Sequence, residues 1–369
     1  MKFSCEKAIL QNAITTAARA VSPKSSIPAL EGLLLEAETL LAVTGYNLET
    51  GIRTTMEAEI TKPGSLVLPA RLFGDIIRKL PDDIVSFSAE KLQVNIRCGP
   101  SSFNLMAMDP DDFPLLPSVD YQHAFTISQR TLRAMISETL FAVSDNESRP
   151  IHTGSLFEVE PDILTVISVD GFRLALRREA LHESEGSFQF VVPGAALSEV
   201  EKICKDVDDP VTVTMGARHI MFRLEGAMLV SRRLEGEFLA WRKAIPRDNS
   251  IRVKADAKQL LTSIERVSLI ISDKLKSPLR CTVGEGTLEL STRTSVSDAT
   301  DTCPVEGDGG GLEIGFNNRY MMDALKAAPA ESVMLEFNSG VSPCVITPIE
   351  GEEENFLYMI LPVRLKAGE

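Results

Sequence analysis

Apolar and polar positions along this chain follow one order of events that occurs three times. Each round opens with a short alternating stretch that runs into apolar residues at helical spacing. In the first, Lys2-Phe3-Ser4-Cys5 leads to Ala8, Ile9, Ala13, Ile14 and Ala17. In the second, Ala124-Phe125-Thr126-Ile127 leads to Leu132, Met135, Ile136 and Leu140, and in the third Ile251-Arg252-Val253 leads to Leu260, Leu261, Ile264 and Val267. Apolar residues at i, i+3, i+4 and i+7 predict one buried helix face, and strict alternation predicts a half-buried strand.

Each round continues with a pair of alternating segments: residues 32–36 with 40–45, 154–158 with 164–168, and 279–283 with 288–291. A strand then feeds a second helix, over residues 66–80, 190–204 and 313–328. Strands at 84–87, 211–214 and 333–337 close the rounds. The period of about 120–130 residues is that of a domain, so the repeat predicts duplicated domains and not a solenoid. The expected fold is α+β: three similar domains, each with about two helices and mainly antiparallel sheets. Their boundaries are 1–119, 120–247 and 248–369, with linkers near Pro117-Ser118-Val119-Asp120 and Pro246-Arg247-Asp248-Asn249. A length of 369 residues suits two or three domains, and 44% apolar residues suffice for large cores.

The formal charge of −14 argues on average against a phosphate-binding surface. The distribution changes that picture. The six predicted helices (5–20, 70–80, 128–143, 194–205, 256–270 and 317–328) hold 13 basic and 8 acidic residues, leaving −19 for the rest of the chain. Lys24, Arg71, Arg78, Lys79, Arg130, Arg133, Lys202, Lys205 and Arg266 are the candidates for a basic lining. Ordinary solvated helix faces are the competing explanation. A geometric argument favours the lining. Two chains paired head to tail would set twelve helices around one circle. At about 8–10 Å between helices and about 10–12 Å per helix diameter, the hole is about 24 Å wide, enough for a DNA duplex. A basic lining inside an acidic exterior would hold phosphate without reading sequence.

Cys5, Cys98, Cys204, Cys281, Cys303 and Cys344 stand apart from one another and from histidine, which predicts reduced thiols and no metal site, and fits a cytoplasmic location. The start of the chain lacks an apolar signal core, and no run approaches the ~18 apolar residues of a membrane span. No cofactor is implied. Gly307-Asp308-Gly309-Gly310-Gly311 lacks the lysine and serine of a phosphate loop and reads as a flexible turn. His182-Glu183-Ser184-Glu185-Gly186 lacks the second histidine of a zinc helix. Asp109-Pro110-Asp111-Asp112 could bind a divalent ion, but its proline-rich setting favours a turn, and Glu352-Glu353-Glu354 reads as a solvated loop. His123, His152, His182 and His219 have no acid–base partner at fixed spacing, although His152, just before a strand of the second repeat, is expected beside a groove.

An ordered set of motifs resembles the bacterial β sliding clamp family along nearly the whole chain. It comprises Met1-Lys2-Phe3, Pro28-Ala29-Leu30-Glu31-Gly32-Leu33-Leu34-Leu35, Val67-Leu68-Pro69-Ala70-Arg71, Asp112-Phe113-Pro114, Val169-Asp170-Gly171-Phe172-Arg173-Leu174, Ile314-Gly315-Phe316-Asn317 and Met359-Ile360-Leu361-Pro362-Val363-Arg364-Leu365. The resemblance implies a non-catalytic clamp: a homodimer closed head to tail around double-stranded DNA, tethering the replicative polymerase and other replication or repair proteins. ATP for loading would come from a separate clamp loader. It implies that Phe103 and Leu105 meet Leu269 and Ile270 of the partner chain. It further implies a peptide groove at Gly171, Phe172, Arg173, Leu174, Asn317, Tyr320, Met359, Leu361, Pro362, Val363, Arg364 and Leu365, with Arg173 and Arg364 orienting peptide carbonyls. Several positions depart from the pattern. Val169 and Phe172 stand where the family often has threonine and histidine. Glu237-Phe238-Leu239-Ala240-Trp241-Arg242 lacks the usual phenylalanine-proline-aspartate-tyrosine run, Lys243 replaces a frequent arginine, and Lys366-Ala367-Gly368-Glu369 extends the end. These changes leave open a divergent paralogue with altered repair or resistance partners. An enzyme built on Asp109–Asp112 is the remaining alternative.

Overall fold

The computed structural model describes residues 1–181, 183–184, 186–271, 277–349 and 355–365. His182, Glu185, Glu352-Glu353-Glu354 and the terminal residues 366–369 lie outside that set, so the expectations placed on them are not addressed.

The first repeat holds β1 (Lys2–Glu6), α1 (Lys7–Ala17), β2 (Gly32–Ala37), β3 (Leu41–Tyr46), β4 (Thr50–Met56), β5 (Glu59–Lys62), β6 (Gly64–Pro69), α2 (Ala70–Lys79), β7 (Ile84–Glu90), β8 (Gln93–Cys98) and β9 (Ser101–Met106). The second holds β10 (His123–Ser128), α3 (Gln129–Ser137), β11 (Gly154–Glu160), β12 (Ile163–Val169), β13 (Arg173–Ala180), the short β14 (Glu183–Ser184), β15 (Phe188–Pro193), α4 (Gly194–Ile203), β16 (Pro210–Met215), β17 (His219–Leu224) and β18 (Ala227–Arg232). After the short α5 (Trp241–Ala244), the third holds β19 (Ile251–Asp256), α6 (Ala257–Ser268), β20 (Leu279–Arg293), β21 (Asp298–Phe316), α7 (Asn318–Ala327), β22 (Ser332–Phe337), β23 (Cys344–Thr347) and β24 (Phe356–Ile360). The α+β expectation of two main helices per repeat and antiparallel pairing is met.

Packing does not follow the repeat. The chain forms two compact units, one of residues 1–130 with 199–233, the other of residues 131–198 with 234–369. In the first, strands run β6-β2-β3-β4-β18-β17-β16-β10, and a second sheet runs β5-β1-β7-β8-β9. In the other, the order is β15-β11-β12-β13-β24-β23-β22-β19-β21-β20. The middle repeat thus completes a sheet in each unit, because β18 pairs with β4 and β13 pairs with β24.

Each unit buries its own core. In the first, Leu10, Ala13, Ile14 and Ala17 of α1 and Phe73, Ile76 and Ile77 of α2 cover Phe3, Leu33, Leu35 and Phe87. The expected α1 face is corrected here: Ala8 is exposed and Ile9 is 45% exposed. At ~100° per residue the stripe through Leu10 is continuous, and Ile9 falls one step off it. In the other unit, Leu260, Ile264 and Val267 of α6 and Met321, Ala324 and Leu325 of α7 cover Leu279, Phe316, Phe337 and Tyr358. Asp256 caps α6 by accepting from the Gln259 N–H at 2.7 Å, and Asn317 caps α7 by accepting from Arg319 N–H at 3.0 Å.

Three further expectations change. α3 stops at Ser137, and Leu140 opens a separate helical turn; the Thr139 hydroxyl donates to Met135 O at 2.7 Å. The segments 279–283 and 288–291 both fall in β20, whose register against β21 shifts between Val283 and Thr287. The glycine-rich run 307–311 is not a free turn but lies inside β21. Gly307, Gly310 and Gly311 take φ of +130°, +60° and +78°, which lets the strand change register there, and the Asp308 carboxylate accepts from Gly310 N–H at 2.8 Å. Asp109-Pro110-Asp111-Asp112 forms the expected turn, with the Asp109 carboxylate accepting from Asp111 N–H at 3.0 Å.

Candidate functional site

The proposed peptide groove falls within the second unit. Beneath it lies a buried apolar cluster, its proposed floor, of Leu156, Ile167, Val169, Leu174, Leu176, Val191, Trp241, Val345 and Met359. The strands set these side chains on one face: Leu174 pairs with Met359 across β13–β24, and Val345 pairs with Met359 across β23–β24. Phe238 and Ile245 pack against the same cluster. His152 abuts it edge-on through Phe238 at 5.5 Å. Burial and the charge of Arg149 hold His152 below the usual imidazole range.

Beside the floor stands an aromatic and charged shelf. Gly171, at φ +91°, turns the chain between β12 and β13, and Asp170 fixes the turn by accepting from the Phe172 and Arg173 N–H groups. The turn leaves Phe172 60% exposed and stacked on Tyr320 at 6.4 Å. Arg173 is not presented to solvent. Its Nε donates to Asp170 at 2.8 Å and its Nη1 to Asp323 at 2.6 Å, and the guanidinium lies over Tyr320 at 4.4 Å and Phe141 at 5.4 Å. It therefore braces the shelf. Asn317 caps α7, the helix that carries Tyr320 and Asp323.

The C-terminal residues run alongside this turn. Leu361 N–H donates to Phe172 O and Val363 N–H to Gly315 O, each at 2.8 Å. Leu365 lies against Gly315, where any Cβ would meet its Cδ2 at 2.7 Å. Leu361, Pro362 and Leu365 are half-buried, Val363 and Arg364 exposed. All twelve residues of the proposed groove are thus in one neighbourhood. Phe141, Asp170 and Asp323 contact Arg173 in the same neighbourhood, and Trp241 lies in the apolar cluster. Sequence reading missed their roles, since only the fold brings α7, the loop before β11 and α5 alongside β13.

The basic candidates divide into two groups. Arg78 is paired with Asp75 at 2.9 Å, Lys202 with Glu199 at 2.7 Å, and Arg266 with Asp301 at 2.6 Å. Arg130 is held by both Asp206 at 2.6 Å and Asp208 at 2.9 Å. Lys24, Arg71, Lys79, Arg133 and Lys205 are exposed and form no ion pair with any described residue. Of the proposed dimer contacts, Phe103 lies on β9, the outermost strand of its sheet, and is 38% exposed. Leu105 on the same strand is half-buried against the core of its own unit. Leu269, just past α6, is 84% exposed, and Ile270 is half-buried.

All six cysteines are free and buried, and burial pushes the Cys5 and Cys281 thiols up to about 12. Among the described residues no group of histidine, cysteine and carboxylate side chains could hold a metal ion, and no helix is long and apolar enough to cross a membrane.

Three family models match in succession: the DNA polymerase III beta subunit N-terminal domain over residues 1–117, its central domain over 126–239 and its C-terminal domain over 242–364. The beta sliding clamp of Staphylococcus epidermidis is 33% identical over 99% of both chains, and that of Staphylococcus aureus 32% over the same share. The DNA polymerase sliding clamp of Bacillus subtilis superposes with a TM-score of 0.93 at 30% identity, covering 99% of this chain and 100% of that one. The sliding clamp (DNA polymerase III subunit beta) of Pseudomonas aeruginosa, solved bound to griselimycin, gives 0.94 at 27% over the same shares. Matches of this length favour the clamp itself over a divergent paralogue. The chain belongs to the DNA polymerase III beta subunit family, the DNA sliding clamps, which are non-catalytic processivity factors.

Proposed function

We propose that two copies of this chain, each made of domains 1–119, 120–247 and 248–369, close head to tail around duplex DNA in the cytoplasm. The groove of the second unit then tethers the replicative polymerase, the clamp loader and other partners by a short peptide. The observation that carries the tether is the pairing of an apolar floor with an exposed aromatic shelf. Leu174, Met359 and Trp241 offer dry contact for leucine and phenylalanine anchors, while Phe172 and Tyr320 offer a face for a third. The exposed Arg364 supplies hydrogen bonds at the rim.

Closure uses the exposed β9 residue Phe103, with Leu105, against Leu269 and Ile270 of the partner copy. An interface whose two faces differ forms a ring when the rotation closes, and two copies suffice. Lys24, Arg71, Lys79, Arg133 and Lys205 are the basic residues best placed to meet phosphate, since no carboxylate among the described residues pairs with them. Arg78, Arg130, Lys202 and Arg266 contribute less, because their charge is already matched locally.

The test is a titration of a fluorescent glutamine-leucine-x-leucine-phenylalanine peptide into the protein, with Leu365→Ala alongside. Saturable binding that Leu365→Ala weakens about tenfold supports the tether. Equal affinity in both proteins counts against the groove.

A further inference from the structure

The first unit repeats, strand for strand, the frame that holds the apolar floor in the second. The order β6-β2-β3-β4-β18-β17 corresponds to β15-β11-β12-β13-β24-β23. The registers agree. Gly51 faces Val230 and Arg53 faces Met228, as Leu174 faces Met359 and Leu176 faces Leu357. Met221 faces Val230 as Val345 faces Met359, and Leu34 faces Thr44 as Leu156 faces Ile167.

At this second position lies a cavity of about 450 Å³, within the ordinary range for ligand sites. Leu34, Leu116, Met221, Met228 and Val230 supply apolar walls, and Thr44 and Arg53 stand where the second unit has Ile167 and Leu176. The Thr44 residue is 1% exposed, and its hydroxyl is buried without a hydrogen-bond partner. Such a group is unfavourable unless something entering the cavity bonds to it. Arg53 donates through Nη1 to Glu36, so the pair is neutral and the guanidinium keeps further donors. The connector that forms one wall is tightly seated, since a Cβ at Gly51 would meet Leu116 Cδ2 at 2.2 Å. Its neighbour Leu115 is 90% exposed at the rim.

We propose that this cavity is a second peptide-docking pocket, which takes one leucine or phenylalanine anchor of an extended partner segment while an amide of that segment bonds to Thr44 and Arg53. The proposal rests on the reading of the equivalent place in the second unit as a peptide groove. An amide matches the lining because it both donates and accepts, and the neutral Glu36–Arg53 pair selects against a charged anchor. The methionines can adapt to either side chain.

The test uses the full-length protein and the same fluorescent peptide, with stoichiometry read by calorimetry. The expected result is two sites per chain. Leu365→Ala weakens one of them, and Met228→Glu weakens the other tenfold or more. Thr44→Val should weaken that second site about fivefold and leave the melting temperature equal or higher, since it removes an unbonded hydroxyl. This keeps the test valid should Met228→Glu fail to fold. One site per chain that responds to Leu365→Ala alone overturns the pocket and leaves the groove standing. One site that responds only to Met228→Glu or Thr44→Val upholds the pocket and overturns the groove. No saturable binding overturns both.

Discussion

Gly315→Ala isolates what the C-terminal segment does. Gly315, one residue before the end of β21, sits where a methyl group would lie 2.7 Å from Val363 O and 2.7 Å from Leu365 Cδ2. Its φ is not in the left-handed region, so the effect of alanine is steric and not conformational. Leu365 can rotate away. The carbonyl cannot, because it belongs to the segment whose Val363 N–H donates back to Gly315 O at 2.8 Å. Restoring ordinary contact moves residues 361–365 outward by about 0.7 Å or more, stretching that bond and the one from Leu361 N–H to Phe172 O. Overpacking of this kind costs about 1–3 kcal/mol, with ~1 kcal/mol of it in the weakened hydrogen bond. The segment is also the rim of the proposed groove, so peptide affinity should fall about tenfold or more, since a displacement of this size opens the anchor site. Urea melts and peptide anisotropy on the same preparation give both values. Wild-type affinity together with wild-type stability would refute the reasoning, because the C-terminal segment would then be neither seated as described nor part of the site.

Burial raises Glu138 from its ordinary 4.5 to about 7, against the opposing pull of Arg177 at 3.2 Å and with a further push from Glu179. The folded state therefore holds a proton that the unfolded state releases near pH 4.5, so stability should fall as pH rises from about 5 to 7 and then level off. After allowance for solvent, the slope integrates to about 1–2 kcal/mol; chemical denaturation across that range should show it in the wild type and not in Glu138→Gln. Phe103→Glu puts a charge on the β9 face and should raise the dimer dissociation constant about 30-fold or more, read by sedimentation; an unchanged dimer would remove β9 from the interface. Arg71→Ala should lower the slope of log affinity against log salt for a short duplex by about 0.9, while Arg130→Ala, already matched by Asp206 and Asp208, should change it by less than about half of that.

Much of the architecture was legible in the sequence because it repeats: the stripes Leu132–Met135–Ile136 and Leu260–Ile264–Val267 are all buried where periodicity put them. Periodicity failed at Ile9, where a second apolar residue beside the true stripe looked equally eligible. It failed again at Gly307–Gly311, where glycine marks a positive φ inside a strand as readily as a turn. In the candidate site, motif resemblance reached the residues on β13, α7 and the C-terminal segment. It did not reach their distant partners. That Arg173 is locked by Asp170 and Asp323, and Arg130 by Asp206 and Asp208, depends on side chains up to 150 residues away in the chain. Charge counting treats all such arginines alike, and only packing tells a free one from a neutralised one.

The way the middle repeat is divided bears on how the protein is made. The first unit is incomplete until residues 199–233 arrive, since β4 has no partner on one side before β18 exists. A nascent chain emerging from the ribosome thus carries the open edge of β4 through synthesis of more than 170 further residues. Such an edge invites pairing with other chains, and long-range strand pairing folds slowly. Expression yield should therefore depend on chaperone supply and translation speed more than the stability of the finished protein would suggest.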